Sequence, residues 1–283
     1  MRLVKKTVNQ DDVSAYHLFY SDAVGSPGCD LTFFDWRNMP KTRHGSGIVS
    51  ETALRVLGGI DSLNIWGDWF EEQGVTHGLV DHSGIFPSLP FQDAEGQRLR
   101  LIAEPADSTP ERFHPWRGSP VPIQSAIVGL SAVTLTVANF ELTAGFLIEV
   151  LGFRLNPGDG SLFELGEGGA GAQLRLLSSP TPGMAAAGGV HHVAWAVPDL
   201  DHQRAWVERL AEFRVPTSGV INRFYFQSLY FRIPGGILFE IATNGPGFTA
   251  DGETLDHLGE ALSLPPFLEE MRPSIEAGLE PLL

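Results

Sequence analysis

From Leu130 to Leu155 the chain reads LSAVTLTVANFELTAGFLIEVLGFRL, an apolar run of strand type followed by apolar residues at helical spacing. Residues 190–215, VHHVAWAVPDLDHQRAWVERLAEFRV, repeat that order at an offset of 60 without a gap. Each copy passes a short polar residue, Asn139 or Asp199, before its helix, and each ends in Phe-Arg-aliphatic, Phe153–Leu155 and Phe213–Val215. In the later copy Trp206, Val207 and Leu210 share one helical face, as packing on a sheet requires. Strand, helix and returning strand is the predicted order. Such internal repeats decide the architecture before any single residue does.

A third copy begins at Thr52, TALRVLGGIDSLNIWGDWFEEQGV, at an offset of 140 from the last. The same offset lays PFQDAEGQRLRLIAE, from Pro90, under YFRIPGGILFEIATN, from Tyr230, each with the turn between two strands that marks a hairpin. The unit is therefore β-α-β followed by a β-hairpin, at roughly 46–106, 125–178 and 190–247. Ahead of these, Arg2-Leu3 matches Arg154-Leu155, and YHLFYSDAVGSPGCDLTFFDW reads as strand, turn, strand, the tail of a fourth copy. The fold class expected is α+β, built from paired β-α-β-β-β modules, four in all with the first incomplete. The expected division is 1–106 for an N-terminal half, 107–124 for a linker, 125–247 for a C-terminal half and 248–283 for a tail whose best helix is LEEMRPSIEAGLE.

Composition narrows the function. Nineteen Lys and Arg against 34 Asp and Glu give a formal net charge of −15, which argues against a nucleic-acid-binding role. Apolar residues make up 43%, enough for a core, and the 32 Gly and 20 Pro suit many turns. A single cysteine, Cys29, forms no intrachain disulfide and is assigned no catalytic role. No apolar run is long enough to span a bilayer, and MRLVKKTVNQDD lacks the apolar core of a signal peptide, so a cytoplasmic protein without membrane association is the expectation. No glycine-rich dinucleotide or P-loop motif occurs.

Modules of this kind pair to enclose a cup, so residues that differ between copies at equivalent positions are informative. At the first-strand slot the last copy has His192 where the others have Ala132 and Thr52. At the last-strand slot it has Glu240, against Arg175, Arg100 and, in the N-terminal copy, Phe33. A lone histidine on a strand is more often a satisfied core residue than a ligand. Glu240 shifts the balance, because a carboxylate inside GILFEIA is costly unless a cation relieves it. His192 and Glu240 with one further histidine would form a 2-His-1-carboxylate site, which suits non-haem Fe(II). The remaining candidates carry less. His77 and His82 read as loop residues, His17 as a strand residue facing away from Tyr16 and Tyr20, and Asp11-Asp12 as a solvated loop.

VHHVAWAVPD and NRFYFQSLYFRIPGGILFEIATNGPGF resemble the vicinal-oxygen-chelate superfamily of glyoxalases and extradiol dioxygenases. RLVKKTVNQDD, YHLFYSD, SPGCDLTFF and LGEALSLPPFLEEMRPSIEAGL are similar to its hydroquinone ring-cleaving branch, so the resemblance spans nearly the whole chain. It implies Fe(II), or Mn(II), held by a first-module histidine together with His192 and Glu240. O2 is then the co-substrate, a hydroquinone-like ring is the substrate, and His191, Arg223 and Tyr230 line the substrate side. Arg223 would hold developing negative charge and His191 or Tyr230 would carry a proton. As structural alternatives, Arg223 pairs a surface carboxylate and Tyr230 fills a strand face. Two other functions compete: a metal-free protein that binds an aromatic compound, and a glyoxalase or isomerase using another divalent metal. The repeat places the first-module histidine slot 21 residues before Met1, so an impaired metal site is expected of this chain. Exposed strand edges there favour association into a homo-oligomer.

Overall fold

The computed structural model describes residues 1–104 and 113–282. Residues 105–112, which include the first part of the expected linker, lie outside the described residues. The first strands are β1 (Arg2–Asn9), β2 (Asp12–Ser21) and β3 (Leu31–Phe34), an antiparallel sheet in that order. The second copy supplies β4 (Ile48–Val56), α1 (Gly59–Gln73), β5 (Ser88–Gln92) and β6 (Arg98–Ala103). The third supplies β7 (Ile127–Val137), α2 (Phe140–Glu149), β8 (Arg154–Leu155), β9 (Leu162–Glu164) and β10 (Gln173–Ser178). The fourth supplies β11 (His192–Val197), α3 (Leu200–Glu212), β12 (Thr217–Asn222), β13 (Gln227–Arg232) and β14 (Leu238–Thr243), and α4 (Arg272–Gly278) lies in the tail. This is the α+β repeat read from the sequence.

The capping residues between strand and helix act as such. The Asn139 side chain accepts from Leu142 N–H, and that of Asp199 accepts from Asp201 and His202 N–H, satisfying amides that the first turn leaves free. Gly74 ends α1 with φ 68°, a left-handed conformation that glycine adopts without strain. In the second copy the returning strand shrinks to two isolated bridges, His77 to Phe91 and Asp81 to Ser88.

Sheet order settles which copies meet. β4 pairs antiparallel with β7, so the second and third copies form one seven-stranded sheet, β5-β6-β4-β7-β10-β9-β8. The fourth copy makes its own sheet, β11-β14-β13-β12, and the halves drawn from the sequence do not correspond to separate sheets. One core joins the third and fourth copies: Leu135, Leu147, Phe153, Phe163, Leu210 and Phe239 are all buried in it, with Trp206 and Val207 packed against them. A smaller core joins the first copy to the fourth through Val4, Phe19, Tyr225 and Phe248. Buried Lys5 pins the tail to it, bridging Asp251 at 2.6 Å and also Glu253.

Asp30 is a costly member of this fold. Burial pushes its carboxyl up to about 7, with Asp22 adding to the rise and Ser21 offsetting part of it, and its Oδ1 has no hydrogen-bond partner. Its folded pKa lies above the ordinary 3.8, so its contribution to stability is present in full below 3.8 and is lost as pH rises toward 7. Asp30→Asn should therefore raise the melting temperature by an increment that grows between pH 4 and 7 and levels off above. A constant increment across that range, measured by thermal unfolding, would contradict this.

Candidate active site

Strand register defines the site. Glu240 pairs with Ala194, Arg175 with Thr134 and Arg100 with Ala53. Two residues upstream of those first-strand partners stand His192, Ala132 and Glu51. Glu51, not Thr52, thus occupies the His192 slot, since the β4–β6 register puts Arg100 opposite Ala53 where the repeat alone would put it opposite Leu54. A one-residue slip turns the side chain to the other face. In the second copy these slots hold an ion pair, with Arg100 Nε and Nη2 on Glu51 at 3.0 and 3.1 Å. In the third, Arg175 bonds Asp159 at 2.8 Å and Ser161 at 2.6 Å. Only the fourth copy combines an imidazole with a carboxylate.

Those two groups meet. His192 Nε2 lies 2.9 Å from Glu240 Oε2, and Glu240 is only 2% exposed. Burial raises the Glu240 carboxyl, but His192, Ser228 and Tyr230 outweigh it and hold the group below its ordinary range. Its second oxygen, Oε1, is buried without a hydrogen bond of ordinary length. A buried carboxylate oxygen with a free lone pair beside an imidazole nitrogen is a donor set that fits a divalent cation of borderline hardness. No group of three His, Cys, Asp or Glu that could hold a metal occurs among the described residues.

The other expected residues gather around this pair. His191 Nδ1 is 2.8 Å from His192 Nδ1, a contact that fixes the orientation of the second ring as an outer-shell partner does. Burial, then His192, lowers His191 to about 4, so it stays neutral and able to accept a proton. The Tyr230 ring meets His192 edge-on at 5.9 Å; burial and Glu240 raise its phenol, which stays protonated. The Arg223 guanidinium lies 5.4 Å from the Tyr230 ring. It also pairs with Asp11, the surface-carboxylate partner allowed for from the sequence, at 2.7 and 3.0 Å.

Three contributors escaped the sequence. Asp11, read as solvated loop, reaches Arg223 from the turn between β1 and β2, a contact 212 residues long that no local pattern signals. Phe34 and Trp36 pack edge-on against His191 at 5.7 and 5.3 Å. Phe34 rather than Phe33 therefore faces the site, and it pairs with His17 as Glu240 pairs with Tyr230. His17 is accordingly packed between Phe19 and Phe34 with its Nε2 unpartnered, and burial followed by His192 keeps it neutral. The alternation that turns it from Tyr16 and Tyr20 was legible; that this face meets the fourth copy was not. A cleft of about 550 Å³ opens beside His191, lined also by Asp12, Ser14, Trp36 and Met39. His77 and His82 stand apart from the site, with His77 held by Glu71 and the Gly78 carbonyl.

Within the seven-stranded sheet each first strand, β4 or β7, lies between its own last strand and the other first strand. In the other two sheets β3 and β11 are both terminal. Ala194 and Ala196, on the His192 face of β11, are exposed there.

This architecture and donor pair define a class. The chain belongs to the glyoxalase/bleomycin resistance protein/dioxygenase superfamily, whose family model matches residues 129–241, and within it to the ring-cleaving dioxygenases. It is 40% identical to MhqA of Bacillus subtilis strain 168, named as a ring-cleaving dioxygenase, over all of this chain and 91% of that one. It is 30% identical to the chlorohydroquinone/hydroquinone 1,2-dioxygenase of Sphingobium indicum, over 96% of this chain and 85% of that one. A crystal structure of a Bacillus subtilis protein titled as a dioxygenase superposes with a TM-score of 0.88 at 33% identity, covering 100% of this chain and 89% of that one. No helix among the described residues is long and apolar enough to cross a membrane.

Proposed function

We propose that this chain is an Fe(II)-dependent extradiol-type dioxygenase that opens the ring of hydroquinone or a substituted hydroquinone. The observation that carries the reading is Glu240: a carboxylate buried in a strand, one oxygen on His192 and the other unpartnered, where two sister copies place ion-paired arginines. The hydroquinone named in the Sphingobium relative supports the substrate class. His192 and Glu240 would hold the metal as two of its donors. When bound, Fe(II) acidifies a ring hydroxyl and lets O2 react with the ring. The protein's own residues do the rest. Neutral His191 accepts the hydroxyl proton, Tyr230 donates one, and Arg223 stabilises the negative charge that develops on the ring oxygen.

Anaerobic loading with Fe(II), followed by O2 uptake on adding hydroquinone, tests the reading. Uptake with ring-opened product is expected. Hydroquinone binding without uptake would favour a metal-free aromatic-binding protein, and turnover of a non-phenolic substrate with another divalent ion would favour a glyoxalase or isomerase.

Arg223→Ala separates site from scaffold. If the guanidinium serves developing charge, turnover falls by about 10²–10³-fold, as when an oxyanion donor is removed. Stability should change by no more than about 1 kcal/mol, because the abandoned Asp11 side chain is 70% exposed and water replaces its partner. Chemical denaturation beside steady-state kinetics reads both. Unchanged kinetics with a large stability loss would make Arg223 structural.

A further inference from the structure

We infer that Asp11 is a specificity residue: by occupying the guanidinium fork of Arg223 it makes the site select uncharged dihydroxybenzenes against ring-borne carboxylates. The inference deepens the hydroquinone reading and rests on it.

The turn carrying Asp11 is built to reach that fork. Asn9 Oδ1 accepts from the Asp11 amide and Asp12 Oδ1 from the Ser14 amide, two local bonds that shape the turn between β1 and β2. Gln10 Nε2 then donates to the Arg223 carbonyl at 2.8 Å, anchoring the turn to the fourth copy's backbone. With the turn held there, Nη1 and Nη2 of Arg223 donate to Oδ1 and Oδ2 of Asp11 at 3.0 and 2.7 Å. The pair is asymmetric. Arg223 is only 14% exposed and Asp11 70%, so the buried cation depends on a carboxylate that comes from solvent and from another sheet.

Two parallel N–H donors on a planar guanidinium match the geometry of a carboxylate, and they can serve only one at a time. Arg223 stacks over Tyr230, whose ring stands against His192, so the fork borders the space in front of the donor pair. A ligand bearing a carboxylate near Arg223 must displace Asp11 or sit against its negative charge. A hydroquinone asks nothing of the fork, since a hydroxyl needs one donor. Asp11 thus leaves single Arg223 N–H donors for a phenol oxygen, while its own charge and its hold on the Nη1–Nη2 fork oppose a ring-borne carboxylate. Among the described residues, Arg37 in the cleft wall beside His191, paired with Glu280, and Arg232 near the His191 ring also carry positive charge in this region.

The test uses three probes on the 283-residue chain, Asp11→Asn and Asp11→Ala, titrated anaerobically with excess Fe(II) in a calorimeter. The probes are hydroquinone, 2,5-dihydroxyphenylacetate and the methyl ester of the latter, which keeps the size and removes the charge. The wild-type chain should bind the ester about tenfold more tightly than the acid. Both variants should bring that ratio to one or below, with hydroquinone affinity changed by less than about threefold, and high salt should narrow the wild-type ratio. A residue that only braced the turn would weaken all three probes alike. An ester-to-acid ratio unchanged by the substitutions overturns the inference and leaves the hydroquinone reading standing. Binding of none of the three by any chain overturns both.

Discussion

Glu240→Gln should end Fe(II) retention and ring opening while leaving the fold intact. Glutamine keeps the volume and still accepts from His192 Nε2–H, so the buried site loses a charge rather than a contact. Were the carboxylate present only to satisfy His192, breaking the pair would cost about 3–5 kcal/mol of stability. A carboxylate kept for a metal behaves otherwise, because glutamine retains the His192 contact and only the charge that His192, Ser228 and Tyr230 favour is lost. Stability of the apo-protein should then fall by no more than about 2 kcal/mol. Iron content by elemental analysis, O2 uptake and denaturant unfolding of the same preparation read the three quantities. Retained iron and turnover in Glu240→Gln would remove Glu240 from the site.

His192→Ala should weaken Fe(II) binding by at least about tenfold if the imidazole shares the ion with Glu240. Outer-shell partners alone are worth about 10–100-fold in metal affinity, so loss of a ligand weakens binding by at least that. His192 Nε2 lies 2.9 Å from Glu240, whereas His77 is held elsewhere by Glu71 and the Gly78 carbonyl. Anaerobic Fe(II) titrations of the unsubstituted chain, His192→Ala and His77→Ala should accordingly show the loss in the His192 variant only. Equal affinity in all three proteins would remove His192 from the metal site.

His192 and Glu240 were legible because a repeat turns one sequence into an internal comparison. Ala132 and Arg175 at matched positions made an imidazole and a buried carboxylate conspicuous without any coordinates. The helices were equally legible, since Asn139 and Asp199 cap them through contacts three residues or fewer away. Register was not. Thr52 and Phe33 were each one residue from the true slot, because strand pairing slips by one residue in ways that alternation does not encode.

What the sequence determined by itself was the repeating α+β module, its capped helices and the copy that combines an imidazole with a strand carboxylate, all set by short-range periodicity and by differences between copies. What only the tertiary structure decided was which sheets join and what reaches the site from afar. β4 pairs with β7 across the linker, the first copy lies against the fourth, and Asp11 grips Arg223 over 212 residues. Edge pairing and long-range ion pairs form wherever apolar faces bring their backbones together, and that placement depends on the packing of all copies at once, which no local pattern carries.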